Sequence, residues 1–129
     1  MIVEDQLPVR EERLRSLARL SAATIALSAW RGRSGRRYVV GVHPLDGLTV
    51  EDVEDLGDVV VIAVRRTEHG TARPAEVIAF GPGRCERRCR RLWLARHRLS
   101  QTTEMHVHRL AESEAERAAI VADLQDAQP

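Results

Sequence analysis

The spacing of apolar residues changes several times along the chain, and each change marks an element. Leu14, Leu17 and Ala18 recur at i, i+3 and i+4, which predicts a first helix over residues 9–20. Pro8 suits its first turn, and Glu11 and Glu12 fall where the helix dipole favours anions. Residues 24–31 then alternate, with Ile25 and Leu27 on one face and Thr24 and Ser28 on the other. This reads as a strand, although the Ala-rich stretch 22–29 also suits a continued helix. Gly32-Arg33-Ser34-Gly35 is a turn, and 37–43 returns as a β-branched strand.

Residues 44–57 hold a short helical turn. Thr49 is its cap, with Asp52 three positions on and Val50, Val53 and Leu56 at helical spacing. Val59 to Val64 is apolar at every position, the mark of a strand covered on both faces. A polar turn with Gly70 leads to a strand over 75–80. Gly81-Pro82-Gly83 then breaks that strand ahead of a helix over 84–99. Residues 103–110 form a further strand, and Ser113-x-x-Glu116 is a capping box before a last helix ending near Leu124. The order predicts one α+β domain over residues 1–129. Its sheet has four to five mostly antiparallel strands, with an N-terminal helix and two C-terminal helices (α-β-β-β-β-α-β-α).

Charge adds the most prominent chemical feature. Arg84, Arg87, Arg88, Arg90, Arg91 and Arg98 fall on one side of the 84–99 helix, with Leu94 in their midst as an exposed residue. Cys85, Cys89, Leu92, Trp93 and Leu99 form the opposite, apolar stripe, which also contains Arg96. A row of guanidinium groups suits phosphate or an acidic partner. Arg31, Arg33, Arg36 and Arg37 at the hairpin turn would extend such a surface.

Composition tempers this reading. All 20 basic residues are Arg, and Lys, Asn, Ile, Phe and Tyr are absent or scarce together, the pattern a GC-rich genome imposes. The formal net charge is only +1, so no global attraction to nucleic acid or membrane is expected. The charge is segregated instead, with Glu51, Asp52, Glu54, Asp55 and Asp58 opposing the basic helix. No stretch reads as a signal peptide or a membrane span, and two cysteines give no disulfide framework, so a cytoplasmic protein is expected.

Two further patterns bear on chemistry. Cys85 and Cys89 are i, i+4 on one helix face, and His106 and His108 alternate on a strand, together the ligand types of a tetrahedral zinc site. Mid-helix cysteines have the wrong spacing for one. They read as buried packing residues, with the two His on the solvent face of their strand and Met105 and Val107 inward. His43, His69 and His97 are isolated; His43, ahead of Pro44 at a strand end, is placed to face a cleft, but a lone His there reads as structural.

The strand, Gly81-Pro82-Gly83 turn, helix, strand and helix over residues 58–124 are similar to the order in acyl-CoA-dependent N-acetyltransferases, in which that loop takes the pyrophosphate. The resemblance implies a degenerate acyltransferase-like enzyme. Ile78, Ala79 and Phe80 stand where the family carries a basic or Gln residue, the aromatic-bearing end of its last helix is missing, and Pro82 removes a donor.

The reading expected from all of this is a non-enzymatic binding or regulatory module with no cofactor, acting through a protein partner or as a homodimer. In the homodimer the acidic 51–58 segment would meet the arginine face of a second copy. A nucleic-acid binder using residues 84–98 is the alternative.

Overall fold

The computed structural model describes residues 7–13, 26–82 and 87–125. Six strands form one antiparallel sheet: β1 (Arg10–Arg13), β2 (Ala26–Arg31), β3 (Arg37–Pro44), β4 (Val59–Arg66), β5 (Ala72–Phe80) and β6 (Glu104–His108). Helices α1 (Val50–Glu54), α2 (Arg87–Arg98) and α3 (Glu114–Leu124) complete the described elements, with a 3-10 turn at Leu45–Gly47. The spatial order is β1-β2-β3-β6-β4-β5, and the sheet curls until its edges β1 and β5 touch. β6, late in the chain, is inserted between β3 and β4, and the count exceeds the expected four to five strands because residues 10–13 add β1.

The six-residue apolar run of β4 is explained by cover on both sides. Val59, Val61 and Ala63 pack with Phe80, Met105 and Val107 beneath Val53 of α1 and Trp93 and Leu94 of α2. Val60, Ile62 and Val64 pack with Trp30, Tyr38 and Val40 beneath Ile120 and Leu124 of α3. All six β4 residues are 3% exposed or less, so one strand carries two cores. β5 is an edge strand, which lets it hold Pro74 opposite a register shift at Ala63/Val64.

The capping box read at Thr49 is complete, and that read at Ser113 forms by half. Thr49 Oγ1 accepts from Asp52 N and the Asp52 carboxylate accepts from Thr49 N, closing the box on α1. Ser113 Oγ accepts from Glu116 N at the start of α3, while the Glu116 carboxylate takes the N–H of Glu112. The β2–β3 turn closes with Gly35 at a φ of 90° and docks on Asp123 of α3, which accepts from Ser34 N, Ser34 Oγ and Tyr38 Oη. Gly32 is required there, because a Cβ would lie 2.2 Å from Asp123 Oδ2. Burial and the Asp123 carboxylate push the Tyr38 hydroxyl up to about 12.

The N-terminal segment departs from expectation. Residues 10–13, read as the start of a helix, are strand β1, while 14–25 lie outside the described residues. The physical reason is cross-strand charge. Glu12 points outward to Arg31 of β2 and Arg37 of β3, both at 3.0 Å. Glu11 points inward to Arg66 of β4. The acidic pair that suits a helix N-terminus finds stronger partners across strands.

Arg66 uses all five of its donors. Nε and Nη2 bind the two oxygens of Glu104 at 2.8 Å, Nη1 and Nη2 bind those of Glu11 at 2.9 and 3.0 Å, and Nη1 also reaches Gly70 O at 2.9 Å. Ser28 Oγ donates to Glu11 at 3.0 Å. Beyond Glu104 the chain continues through a fully buried His106. Trp30 Nε1 can only donate, so His106 Nδ1, 2.9 Å away, is the acceptor. The ring proton therefore sits on Nε2, directed at Glu104 Oε1 2.8 Å away. The network joins β1, β2, β4 and β6 inside the curl.

The Arg66 bond, with help from His106, holds the Glu104 carboxyl at about 2 against the opposing effect of burial. Burial pushes Glu11 up, but the Arg66 and Ser28 bonds outweigh it and the net shift is down. Both groups have depressed folded pKa values, so as pH falls the unfolded chain takes up protons first. Their contribution is full above the ordinary carboxylate value of 4.5 and is lost as pH falls from there toward about 2. A urea midpoint that falls through this window is expected, and a midpoint flat from pH 5 to 2.5 would contradict it. Arg66→Met strands two half-buried carboxylates and is expected to cost about 1–3 kcal/mol in equilibrium unfolding. A loss below ~0.5 kcal/mol would show that solvent screens the network and that it does not hold the curl.

Candidate functional site

Helix α2 is rotated relative to the expected stripe. Its buried residues are Arg90, Trp93, Leu94 and His97. Leu94 is 1% exposed, so it is core and not the centre of an arginine face. Cys89, expected to be buried, is exposed, as are Leu92 and Leu99, while Cys85 lies outside the described residues. The orientation follows from what the inner face gains. Trp93 packs edge-on to Phe80 with centroids 6.0 Å apart, and Leu94 fills the core beside it. Arg90 enters with its apolar stem, lays its guanidinium 5.0 Å from the Phe80 ring, and reaches Glu54 O at 3.2 Å.

The C-terminal end of α2 is pinned by a chain that the isolated reading of His97 missed. Glu76 Oε1 lies 2.7 Å from His97 Nε2 and accepts from Arg96 Nη2 at 2.6 Å. His97 Nδ1 lies 2.9 Å from Thr102 Oγ1, which also takes a bond from Ser100 Oγ at 2.9 Å. Trp93 stacks 4.6 Å from the imidazole. The acid–imidazole–hydroxyl order superficially suits nucleophilic catalysis. The hydroxyl, however, is tied into the turn after α2, so the chain anchors the helix end.

The arginines are largely engaged within the chain. Arg87 pairs with Asp55 at 3.7 Å and Arg91 with Glu54 at 3.5 Å. Arg98 donates to Leu48 O, and Arg90 is buried. Arg88 is exposed, and Arg84 lies outside the described residues. The acidic segment thus meets the arginine helix of its own chain. One premise for a contact with a second copy, an exposed Leu94, is removed. Three of the four hairpin arginines are also engaged: Arg31 and Arg37 with Glu12, and Arg36 over the Tyr38 ring at 5.7 Å. Their turn is bonded to α3, which covers the sheet face opposite α2.

What α2 shows to solvent is a second apolar line. Arg88, Leu92, Ala95 and Leu99 recur at i, i+4, i+7 and i+11, opposite Trp93, Leu94 and His97. Leu92 is 58% exposed and Leu99, just past the last turn, is 91% exposed. Arg91 flanks the line on one side and Arg96 and Cys89 on the other.

The four possible metal ligands are not brought together. His106 and His108 are buried, not solvent-facing, because the curl and α3 cover their side of the sheet. His108 Nδ1 donates to Val39 O at 2.7 Å. Cys89 is on α2, over the opposite face. Among the described residues, no group of three or more His, Cys, Asp or Glu is placed to hold a metal ion. Gly83 and residues 84–86 are outside the described residues, so the acyltransferase-like loop remains a sequence reading.

His43, read as structural, lines an open cleft of about 290 Å³ between the β3 end, α1 and β6, with Asp52 and Arg109. Its Nε2 is buried and has no hydrogen-bond partner. Burial holds the His43 pKa below its ordinary value, with Arg109 and His106 acting the same way and Asp52 opposing.

The site and fold define a six-stranded antiparallel α+β module with a helix presented on one face. No protein-family model, curated protein or solved structure matches the chain. Among the described residues, no helix is long and apolar enough to cross a membrane.

The outward turn of α2 predicts thiol chemistry opposite to that of a core cysteine. In a Cys85→Ser background, Cys89 should react with a thiol reagent in native buffer without prior unfolding. A thiol that reacts only in denaturant would return Cys89 to the core.

Proposed function

We propose that the protein is a non-catalytic binding module whose docking element is the outer line of α2. Its partner is an acidic, amphipathic helix of another protein. The observation that carries this is the exposure of Leu92 and Leu99 on a helix whose other side is fully packed. Large apolar side chains in line on a rigid element, with a charged rim, are the makings of an interface. Their spacing of 4, 3 and 4 with Arg88 and Ala95 is that of a helix-pairing seam.

The rim decides the partner's charge. Residues 87–98 contain six arginines and no acidic residue. A second copy laying its own α2 on this seam would oppose arginine to arginine, whereas acidic flanks would be complementary. The leucines also favour protein over nucleic acid, because a phosphate backbone gains nothing from Leu92 and Leu99. The engagement of Arg87, Arg90, Arg91 and Arg98 within the chain further weakens a phosphate footprint.

The test compares the protein with its Leu92→Glu/Leu99→Glu variant as bait in an extract of its own host, with cross-link mapping. Both substitutions are at exposed positions, so the melting temperature should hold. The expected result is a cross-link from α2 to an acidic helical segment, with binding weakened at least about tenfold in the variant. A partner retained equally by the variant would refute the seam. A salt-sensitive dimer in sedimentation, lost in the variant, would make the occupant a second copy instead.

A further inference from the structure

We propose that the cleft walled by His43, Arg109, Leu48, Leu56 and Met105 is a binding site for a small aliphatic monocarboxylate, separate from the α2 seam. Two polar groups on this one cleft lack a protein partner. The first is His43 Nε2, buried without a hydrogen bond. The second is the Arg109 guanidinium, which has no ion pair or hydrogen bond among the described residues. A buried polar atom left unpaired is a standing penalty that a ligand relieves. An imidazole and a guanidinium lining one cleft are groups that can donate to a carboxylate, the imidazole once a side-chain turn brings Nε2 to the opening.

The remaining lining narrows the class. Leu48, Leu56 and Met105 give the cleft an apolar wall but no aromatic surface, which suits an aliphatic body over a base or a ring. Asp52 also lines the cleft, but its carboxylate is already committed to the Thr49 cap of α1. It therefore acts as a fixed negative charge at the site. One arginine facing one aspartate accommodates a single anionic charge and penalises a phosphate dianion. Arg109 in turn disfavours a metal cation, and the His43–Asp52 pair alone does not make a ligand set.

The cleft is also well made. Pro44 and the 3-10 turn hold its rim, and Leu45 N bonds Thr103 O at 2.9 Å, fastening the rim to the strand that carries Met105. Met105 is directly opposite His43 in the β3–β6 register. The His43 backbone is thereby set by the sheet, while the exposed Arg109 is free to close on a ligand.

Sodium butyrate is the probe, titrated at constant ionic strength into the isotopically labelled protein, with butyramide and inorganic phosphate as controls. The expected result is saturable shifts at His43 and Met105 with butyrate, absent with butyramide. Arg109→Gln, an exposed substitution, should weaken affinity at least about tenfold. A bound carboxylate favours the charged ring against Arg109 and His106 and alongside Asp52, so the His43 titration midpoint should rise in butyrate. Butyramide binding as tightly would reduce the site to an apolar crevice and overturn the proposal. Tighter binding of phosphate would overturn the monoanion. No saturation up to about 100 mM, or an unchanged affinity in Arg109→Gln, would overturn the site itself.

Discussion

A single half-buried guanidinium sets the shape of this protein. Arg66 sits at the end of the central strand with every donor engaged, holding Glu11 from one edge of the sheet and Glu104 from its middle. Because those carboxylates lie on strands far apart in the sheet order, satisfying both requires the sheet to curl. Drawing three charges partly out of water costs desolvation, and complete pairing offsets it. Ser28, His106 and Trp30 complete the pairing, and the Trp30 N–H fixes which nitrogen of His106 carries the proton. The network is more a device of register and closure than a simple source of stability.

That closure leaves the two sides of the sheet with different tasks. The inner side is filled by the network, Trp30 and Tyr38, and is sealed by α3. The other side carries α1 and α2 on the Val59, Val61 and Ala63 row of the same strand. The acidic α1 end and the basic α2 face neutralise each other, with Arg90 bonded to the Glu54 carbonyl and Arg91 near its carboxylate. The charge segregation of the sequence is thus largely an internal matter of the fold. The part of α2 left over, Leu92 to Leu99, is apolar on its outer line, and the cleft at His43 opens beside α1. Both candidate sites are by-products of how this layer is held.

Much of the local structure was legible in the sequence. The run Val59–Val64 announced a doubly covered strand, and Thr49, Asp52, Ser113 and the 32–35 turn announced their caps and turn because each depends on neighbours within a few residues. Arg10–Arg13 was not legible, since its strand character comes from Arg31, Arg37 and Arg66, partners at long range. The insertion of β6 beside β3 is likewise a non-local pairing. The rotation of α2 was misread because helical periodicity offers two apolar lines there, one through Trp93 and Leu94 and one through Leu92 and Leu99. Only the shape of the sheet beneath selects the line with the indole. The His43 cleft had only a faint sequence signal, a histidine ahead of Pro44 at a strand end, as its walls come from three separate elements.

The central claim is that the Glu11–Arg66 pairing makes residues 10–13 an edge strand, overriding a sequence pattern that suits a helix. The nuclear Overhauser pattern of this segment in solution tests it most directly. The account predicts cross-strand contacts between Glu11 and Trp30 and between Glu12 and Ala29. Sequential amide–amide contacts with i to i+3 connectivities across residues 10–13, and none to β2, would contradict it.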